Sequence, residues 1–145
     1  MLACDIIYLA DTAKLTMAYT AAGLTPDASS TYFLPRMIGS QRAMELALTN
    51  RRLSAEEALA WGLVNRVLPP ADVLPEAQKL AAQLAAGPTR AYGATKKLLR
   101  TSFNQSLETQ MEDEAQSIVS MTYTADAREG IDAFLNKRKP EFKGR

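Results

Sequence analysis

The chain has 145 residues, 47% of them hydrophobic, and its 17 lysines and arginines nearly balance its 16 aspartates and glutamates. This length suits one ordinary core, and the net charge of +1 gives no reason to expect a nucleic acid or an anionic membrane as a partner. The single cysteine, Cys4, excludes an intrachain disulfide and fits a reducing cytoplasm, where we expect the protein to act. Without histidine, we expect no zinc site and no Ser-His or Cys-His nucleophile.

Three short segments are predicted to be strands. Residues 5–10 form a nearly continuous apolar run, which is typical of a strand buried on both faces of a parallel sheet, and residues 14–18 and 64–68 are further short extended segments. A buried strand needs neighbours for its backbone N–H and C=O groups. Since the chain offers few strands, we expect either other chains or a missing upstream half to complete the sheet.

The remaining chain is predicted to be mostly helical, so the predicted fold class is α/β, with a few short strands followed mostly by helices. Ser54 and Glu57 form a capping box, and Asp126 with Glu129 is expected to open the last helix. The apolar spacing between residues 107 and 122 predicts a helix buried along one side. The predicted helices span 40–50, 54–61, 71–86, 89–102, 107–122 and 126–136.

Asp27 is the strongest candidate for a functional residue. It lies at a Pro-Asp turn, with apolar residues before it and a predicted helix after it. A carboxylate desolvated by apolar surroundings binds a proton more tightly, which suits it to general acid/base catalysis near neutral pH. Alternatively, Asp27 is simply the N-cap of the following helix, since Pro-Asp before Ser or Thr is a common turn. The residues alone leave both interpretations open.

Seven segments together resemble the crotonase (enoyl-CoA hydratase/isomerase) superfamily, over essentially the whole chain. They are CDII at 4–7, GLTPDASSTYFLPR at 23–36, LSAEEA at 53–58, GLVN at 62–65, GPTRA at 87–91, KKLL at 96–99 and EGIDAFLNKRKP at 129–140. The chain is most similar to the branch with ring-epoxide isomerases of phenylacetyl-CoA breakdown and 3-enoyl-CoA isomerases.

This resemblance implies the C-terminal part of a crotonase (ClpP-like) fold. Residues 1–86 would be the end of the crotonase core, and residues 87–145 a helical region near CoA that forms trimer contacts. Because crotonase-like chains are nearly twice as long, Met1 is expected to be an internal residue of a longer protein or the start of a truncated reading frame.

The resemblance also implies an acyl-CoA substrate, with CoA as part of the substrate and no separate cofactor or metal. Two backbone N–H groups hold the thioester oxygen in such enzymes, and donors of this kind contribute about 3 to 4 kcal/mol each. By the family pattern, both donors fall upstream of Met1.

The carboxylates then indicate the reaction. Hydratases of the family use two glutamates, and the position of the second falls on Tyr19, which cannot act as a carboxylate base. The family's isomerases place their working carboxylate where this chain has Asp27. We therefore expect an acyl-CoA isomerase with Asp27 as acid/base. One departure is that Ala28-Ser29 follows Asp27, where the family often has Gly-Gly or Ser-Gly, so we expect a differently shaped turn.

Phe134 and Lys137 are the candidates for binding CoA. By resemblance, they would lie near its adenine and phosphates, often in the neighbouring subunit of a homotrimer or a dimer of trimers. Alternatively, Lys137 only contributes to a basic last turn, which is favourable at a helix C-terminus, and Phe134 is a core residue. Two other functions remain: hydration, dehalogenation or thioester hydrolysis by the same family, and a truncated, silent chain that associates through its C-terminal helices.

Overall fold

The computed structural model describes residues 1–145, which form two compact units, Met1–Ala77 and Gln78–Arg145. The boundary between these units lies inside a helix, and the functional division expected at residue 87 stays a prediction. The strands are β1 (Tyr8–Ala10), β2 (Lys14–Leu15), β3 (Leu53–Ser54) and β4 (Arg66–Leu68). The helices are α1 (Ser30–Ile38), α2 (Ser40–Thr49), α3 (Ala55–Ala60), α4 (Pro70–Ala85), α5 (Thr89–Thr101), α6 (Leu107–Thr122) and α7 (Ala125–Leu135), with short 3-10 turns at Thr20–Ala22 and Ser102–Asn104. The predicted α/β class, with a few short strands and mostly helices, is confirmed.

The strands form two small sheets. β1 pairs with β4 in parallel, and β2 pairs with β3 in antiparallel orientation. All three predicted strand segments are present, but each is shorter than predicted. The residues of β1 are half-buried, and the prediction of a strand buried on both faces is wrong within this chain, where β1 has β4 as its one partner.

Asn65 fixes the beginning of β1. Its Oδ1 accepts a hydrogen bond from the backbone N–H of Ile7 at 2.7 Å, and its own N–H donates to the Ile7 carbonyl at 2.8 Å. Ile7 therefore has both backbone groups satisfied before the regular pairing begins at Tyr8.

The core of the first unit is formed by aliphatic side chains from α1, α2, α3 and the segments beside the strands. The predicted capping box is confirmed: the Ser54 hydroxyl accepts from the Glu57 N–H at 3.1 Å, and the Glu57 carboxylate accepts from the Ser54 N–H at 3.0 Å. This cap sets the start of α3, which places Ala58 in the core. The core residues are Ile7, Leu34, Ile38, Ala43, Leu46, Leu53, Ala58, Leu63 and Val64.

The helices of the second unit lie within one or two residues of their predicted bounds, but the start of α7 differs from the prediction. Thr124 is its N-cap, because the Thr124 hydroxyl accepts from the Ala127 N–H at 3.1 Å. Asp126 is buried instead, and its carboxylate accepts from the N–H groups of Lys143 and Gly144 at 2.7 and 2.8 Å. Asp126 therefore holds the C-terminal segment against α7.

Most of the large apolar residues of α6 and α7 are exposed. The prediction that α6 is buried along one side is wrong for this chain, since four of its large apolar side chains are each more than half exposed. A large exposed apolar surface commonly marks an interaction site. The exposed residues are Leu107, Met111, Ile118 and Val119 on α6, with Ile131, Phe134 and Leu135 on α7. None of the helices has both the length and the apolar character needed to span a lipid bilayer.

Glu129 connects α7 to the segment that follows it. Its two carboxylate oxygens accept from the Arg138 guanidinium at 2.6 and 2.8 Å, and one of them also accepts from the Glu141 N–H at 2.8 Å. The Arg138 hydrogen bonds, followed by the Glu141 N–H, lower the pKa of Glu129 from 4.5 to about 2.

This shift predicts an acid-sensitive contribution to stability. Because the pKa of Glu129 is lower in the folded chain, its contribution is complete above pH 4.5 and is lost as the pH falls towards 2. Chemical denaturation between pH 2 and pH 6 should show that Glu129→Gln lowers the free energy of unfolding at pH 6 and flattens its decline below pH 4.5.

Glu141→Gln is the matched control, because Glu141 contacts Glu129 through its backbone and not through its carboxylate. This variant should keep the wild-type pH dependence. Identical pH profiles for Glu129→Gln and the wild type would contradict the assignment.

Candidate functional site

Asp27 lies in the turn that connects the 3-10 turn at Thr20–Ala22 to α1. The residue that caps α1 is Ser29, and no side-chain hydrogen bond closes this cap. Asp27 contributes only its backbone carbonyl, which accepts from the Ser30 N–H at 3.0 Å and from the Ser30 hydroxyl at 2.6 Å. The interpretation of Asp27 as the helix cap is therefore wrong, and its carboxylate is left for another role.

The carboxylate of Asp27 is hydrogen-bonded to Tyr19. The phenol donates to Oδ1 across 2.8 Å, so the structure brings together two residues that are eight positions apart. This hydrogen bond, and secondarily the negative charge of Asp27, raise the pKa of Tyr19 above its ordinary value of 10. Tyr19 is therefore a neutral donor at neutral pH.

The two residues after Asp27 adopt left-handed backbone conformations. Ala28 has φ 50° and Ser29 has φ 62°, although neither is glycine. The turn thus adopts the positive φ that glycine would allow. The expectation of a differently shaped turn stays a prediction. Left-handed geometry costs an L-residue roughly 1–2 kcal/mol, so the surrounding contacts must hold this turn in place.

Asp27 is exposed in this chain, so the expectation of a desolvated carboxylate is wrong here. The predicted apolar neighbours do not cover it, since Leu24 and Tyr32 are themselves 62% and 44% exposed. The turn projects from the surface, and Ala28 and Ser29 beside it are also exposed. Any exclusion of water from Asp27 has to come from a molecule or segment that covers these side chains.

No cation neutralises Asp27. Arg36, the basic residue nearest to Asp27 in the sequence, donates to the Tyr32 carbonyl at 2.9 Å, and its guanidinium lies 3.7 Å from the centre of the Tyr32 ring. An ion pair would stabilise the ionised carboxylate and weaken it as a base. The Asp27 carboxylate therefore has no ion-pair partner within this chain.

Asn50 supports the turn that carries Tyr19. It ends α2 with φ 53°, and its Oδ1 lies 3.0 Å from the Thr20 hydroxyl and 3.2 Å from the Ala21 N–H. The Thr20 hydroxyl also lies 2.6 Å from the carbonyl oxygen of Ala47. The segment after Tyr19 is thus attached to the end of a helix about thirty residues away in sequence.

The sequence identified Tyr19 only as a residue that could not replace a glutamate, and Asn50 only as the last residue of a predicted helix. The signal for Tyr19 was its alignment with the second glutamate of the family's hydratases, which already indicated a position near the reacting groups. The signal for Asn50 was an asparagine at the last position of a predicted helix, since asparagine is a common left-handed C-cap.

Phe134 and Lys137 lie together at the end of α7 in the second unit. The Lys137 N–H donates to the Phe134 carbonyl at 3.2 Å, and Lys137 has φ 51°. Phe134 is 82% exposed, so the alternative that it is a core residue is wrong for this chain. Arg138 is engaged by Glu129 and Asp132, whereas the exposed Lys137 ammonium has no ion-pair partner and is available to an anionic ligand.

The chain contains no cluster of three or more cysteine, aspartate and glutamate side chains that could hold a metal ion. The candidate groups for chemistry are the carboxylate of Asp27 with its phenol donor in the first unit and the ammonium of Lys137 in the second.

Comparison with known proteins places these residues in a family context. The family model described as enoyl-CoA hydratase/isomerase matches residues 1–145. The chain is 40% identical over 144 residues to the "probable enoyl-CoA hydratase" of Rhodobacter capsulatus, covering 99% of this chain and 56% of the relative. It is also 40% identical over 141 residues to the 1,2-epoxyphenylacetyl-CoA isomerase of Escherichia coli, covering 97% of this chain and 54% of the relative.

Solved structures show the same fold. The crystal structure of an enoyl-CoA hydratase from Bacillus anthracis superposes with a TM-score of 0.93 at 36% identity, covering 99% of this chain and 56% of that one. The predicted crotonase fold is confirmed. The chain spans about half the length of the relatives that it matches.

The contacts of Asn50 predict how far the site depends on it. Asn50→Ala removes the acceptor of two hydrogen bonds and places alanine at a positive φ, which should lower the free energy of unfolding by about 2 to 3 kcal/mol. Urea unfolding of the purified protein measures this change.

Two matched variants separate the causes. Asn50→Gly keeps the backbone freedom but loses the acceptor, so it should lose about 1 to 2 kcal/mol, whereas Asn50→Asp keeps an acceptor oxygen and should stay near the wild type. An Asn50→Ala protein as stable as the wild type would show that Asn50 does not hold the turn.

Proposed function

The chain belongs to the enoyl-CoA hydratase/isomerase family, and on this basis we propose that the protein containing it is an acyl-CoA isomerase in which Asp27 moves the proton. The supporting observation is the arrangement at Asp27: its carboxylate has no ion-pair partner and accepts a hydrogen bond from the phenol of Tyr19. By the family resemblance, Tyr19 stands where hydratases carry their second glutamate. A site with one carboxylate suits a reaction that needs one base.

The proposed reaction shifts a double bond towards the thioester. The Asp27 carboxylate takes a proton from the carbon next to the thioester carbonyl. The C–H electron pair delocalises onto the carbonyl oxygen and, through the double bond, onto the carbon two positions further along. The protonated Asp27 then returns the proton two carbons further along the chain. The product is a conjugated enoyl-CoA with the same atoms as the substrate, and no water enters.

Asp27 is exposed in this chain, so the proposal needs a substrate that excludes water. An acyl group lying over Leu24 and Tyr32 would bury exposed apolar surface and cover the Asp27 carboxylate together with them. Desolvation would then strengthen the base when substrate is bound.

Hydration is the alternative within the family, and the identity with the Rhodobacter relative favours it as much as the Escherichia coli relative favours isomerisation. Hydration needs a second group to activate water. Tyr19 at the position of the second glutamate argues against it, because a phenol that donates to Asp27 is a poor base.

CoA would be bound at the end of α7. The exposed ring of Phe134 offers a face for the adenine, and the unpaired Lys137 ammonium offers a phosphate partner. The exposed apolar residues of α6 and α7 suit the homotrimer, or dimer of trimers, that we propose for the whole protein.

Asp27→Asn in the whole protein tests the base. The amide cannot accept the substrate proton, so kcat for 3-enoyl-CoA isomerisation should fall by roughly 10²–10⁴-fold, while the melting temperature and CoA binding stay unchanged. Asp11→Asn removes another exposed carboxylate of the same unit and should keep wild-type turnover. Wild-type turnover in Asp27→Asn would refute the catalytic assignment.

Lys137→Ala tests the CoA site. Lysine and alanine both carry a Cβ, so the backbone cost of φ 51° is similar for the two residues. The change therefore mainly removes the ammonium. KM for acyl-CoA should rise several-fold with kcat nearly intact, which is the result expected when uniform binding is lost.

Lys97→Ala, at another exposed lysine of the second unit, is the control and should leave KM unchanged. If Lys137→Ala also leaves KM unchanged, Lys137 contributes only to the electrostatics of the helix end.

A further inference from the structure

The hydrogen bond between Tyr19 and Asp27 uses one carboxylate oxygen and leaves the other available. Tyr19 donates to Oδ1 at 2.8 Å, whereas Oδ2 accepts no hydrogen bond from the chain. An exposed aspartate without such a contact samples several rotamers, and each rotamer points its oxygens differently. The phenol therefore selects one orientation of the carboxylate.

Tyr19 is itself held in place. Its carbonyl accepts from the N–H groups of Ala22 and Leu24, both at 3.0 Å, which closes the 3-10 turn around it. The next residue, Thr20, is attached to the end of α2 through Ala47 and Asn50. Tyr19 is half-buried, whereas the Asp27 that it contacts is exposed.

The backbone of Asp27 is fixed independently of Tyr19. Ser30 is buried and donates to the Asp27 carbonyl through both its N–H and its hydroxyl. The left-handed residues Ala28 and Ser29 set the direction from which the chain enters α1. Two separately anchored segments thus meet at the hydrogen bond between Tyr19 and Asp27.

The protonation state of the pair suits this role. The neighbouring carboxylate raises the pKa of Tyr19, so the phenol remains a donor throughout the neutral range and does not compete for the substrate's proton.

We propose that Tyr19 is a positioning residue for the reaction: it fixes Oδ1 of Asp27 so that Oδ2 faces the carbon chain of the acyl-CoA. This inference rests on the proposed function, because it gives Asp27 the proton transfer. It adds that Tyr19, at the position of the second glutamate of the hydratases, orients the Asp27 carboxylate and takes no proton from water.

A double-mutant cycle in the whole protein tests this role, with 3-enoyl-CoA as substrate. Tyr19→Phe keeps the ring and removes the donor, so kcat should fall about 10- to 100-fold, the range for a hydrogen bond to a charged group, while KM changes less than twofold. In the Asp27→Asn background, Tyr19→Phe should add less than a twofold loss, because no carboxylate remains to be oriented.

Tyr8→Phe is the matched control, since it removes a phenolic hydroxyl from the same unit at a ring that contacts Arg66, and it should leave kcat unchanged. If Tyr19→Phe keeps wild-type kcat, the inference is overturned. It is also overturned if Tyr19→Phe lowers kcat equally in both backgrounds together with the melting temperature, because Tyr19 is then only structural.

Failure of the proposed function gives a different result. Wild-type turnover in Asp27→Asn would overturn the proposed base and the role of Tyr19 with it. A large loss in Asp27→Asn with no loss in Tyr19→Phe would overturn only the positioning role.

Discussion

Asn50 ends α2 in a left-handed conformation and directs its side-chain oxygen to the turn at Thr20 and Ala21. The position of Tyr19 follows from this contact, and the orientation of the Asp27 carboxylate follows from Tyr19. Since Asn50 lies about thirty residues from the turn, the candidate site forms only when α2 is folded and in place. The core residues Ala43 and Leu46 of α2 therefore support the candidate site as well as the fold.

Local signals in the sequence were sufficient for much of the fold. The Ser54 capping box and the bounds of α6 were predicted correctly, because a cap acts over three residues and a helical period over one or two turns. The contacts that join Tyr19 to Asp27 and Thr20 to Asn50 could not be predicted, since no short-range pattern encodes them. At Ala28 the local preference predicts the wrong conformation. Alanine disfavours a positive φ, but the surrounding contacts override this preference.

The exposure of the candidate site has a physical consequence. Water solvates the Asp27 carboxylate in this chain, and a solvated carboxylate is a weaker base than a desolvated one. Leu24 and Tyr32, which are near Asp27 in the sequence, have exposed apolar side chains that a substrate would bury. Binding energy from the acyl group would then activate the base, which links substrate binding to the chemical step.

The mass of the product made from a 3-enoyl-CoA by the whole protein tests the central claim most directly. Proton transfer by Asp27 alone predicts a product of unchanged mass with its double bond conjugated to the thioester. A product heavier by one water would show that a second group activates water, and it would contradict the account of a single base oriented by Tyr19.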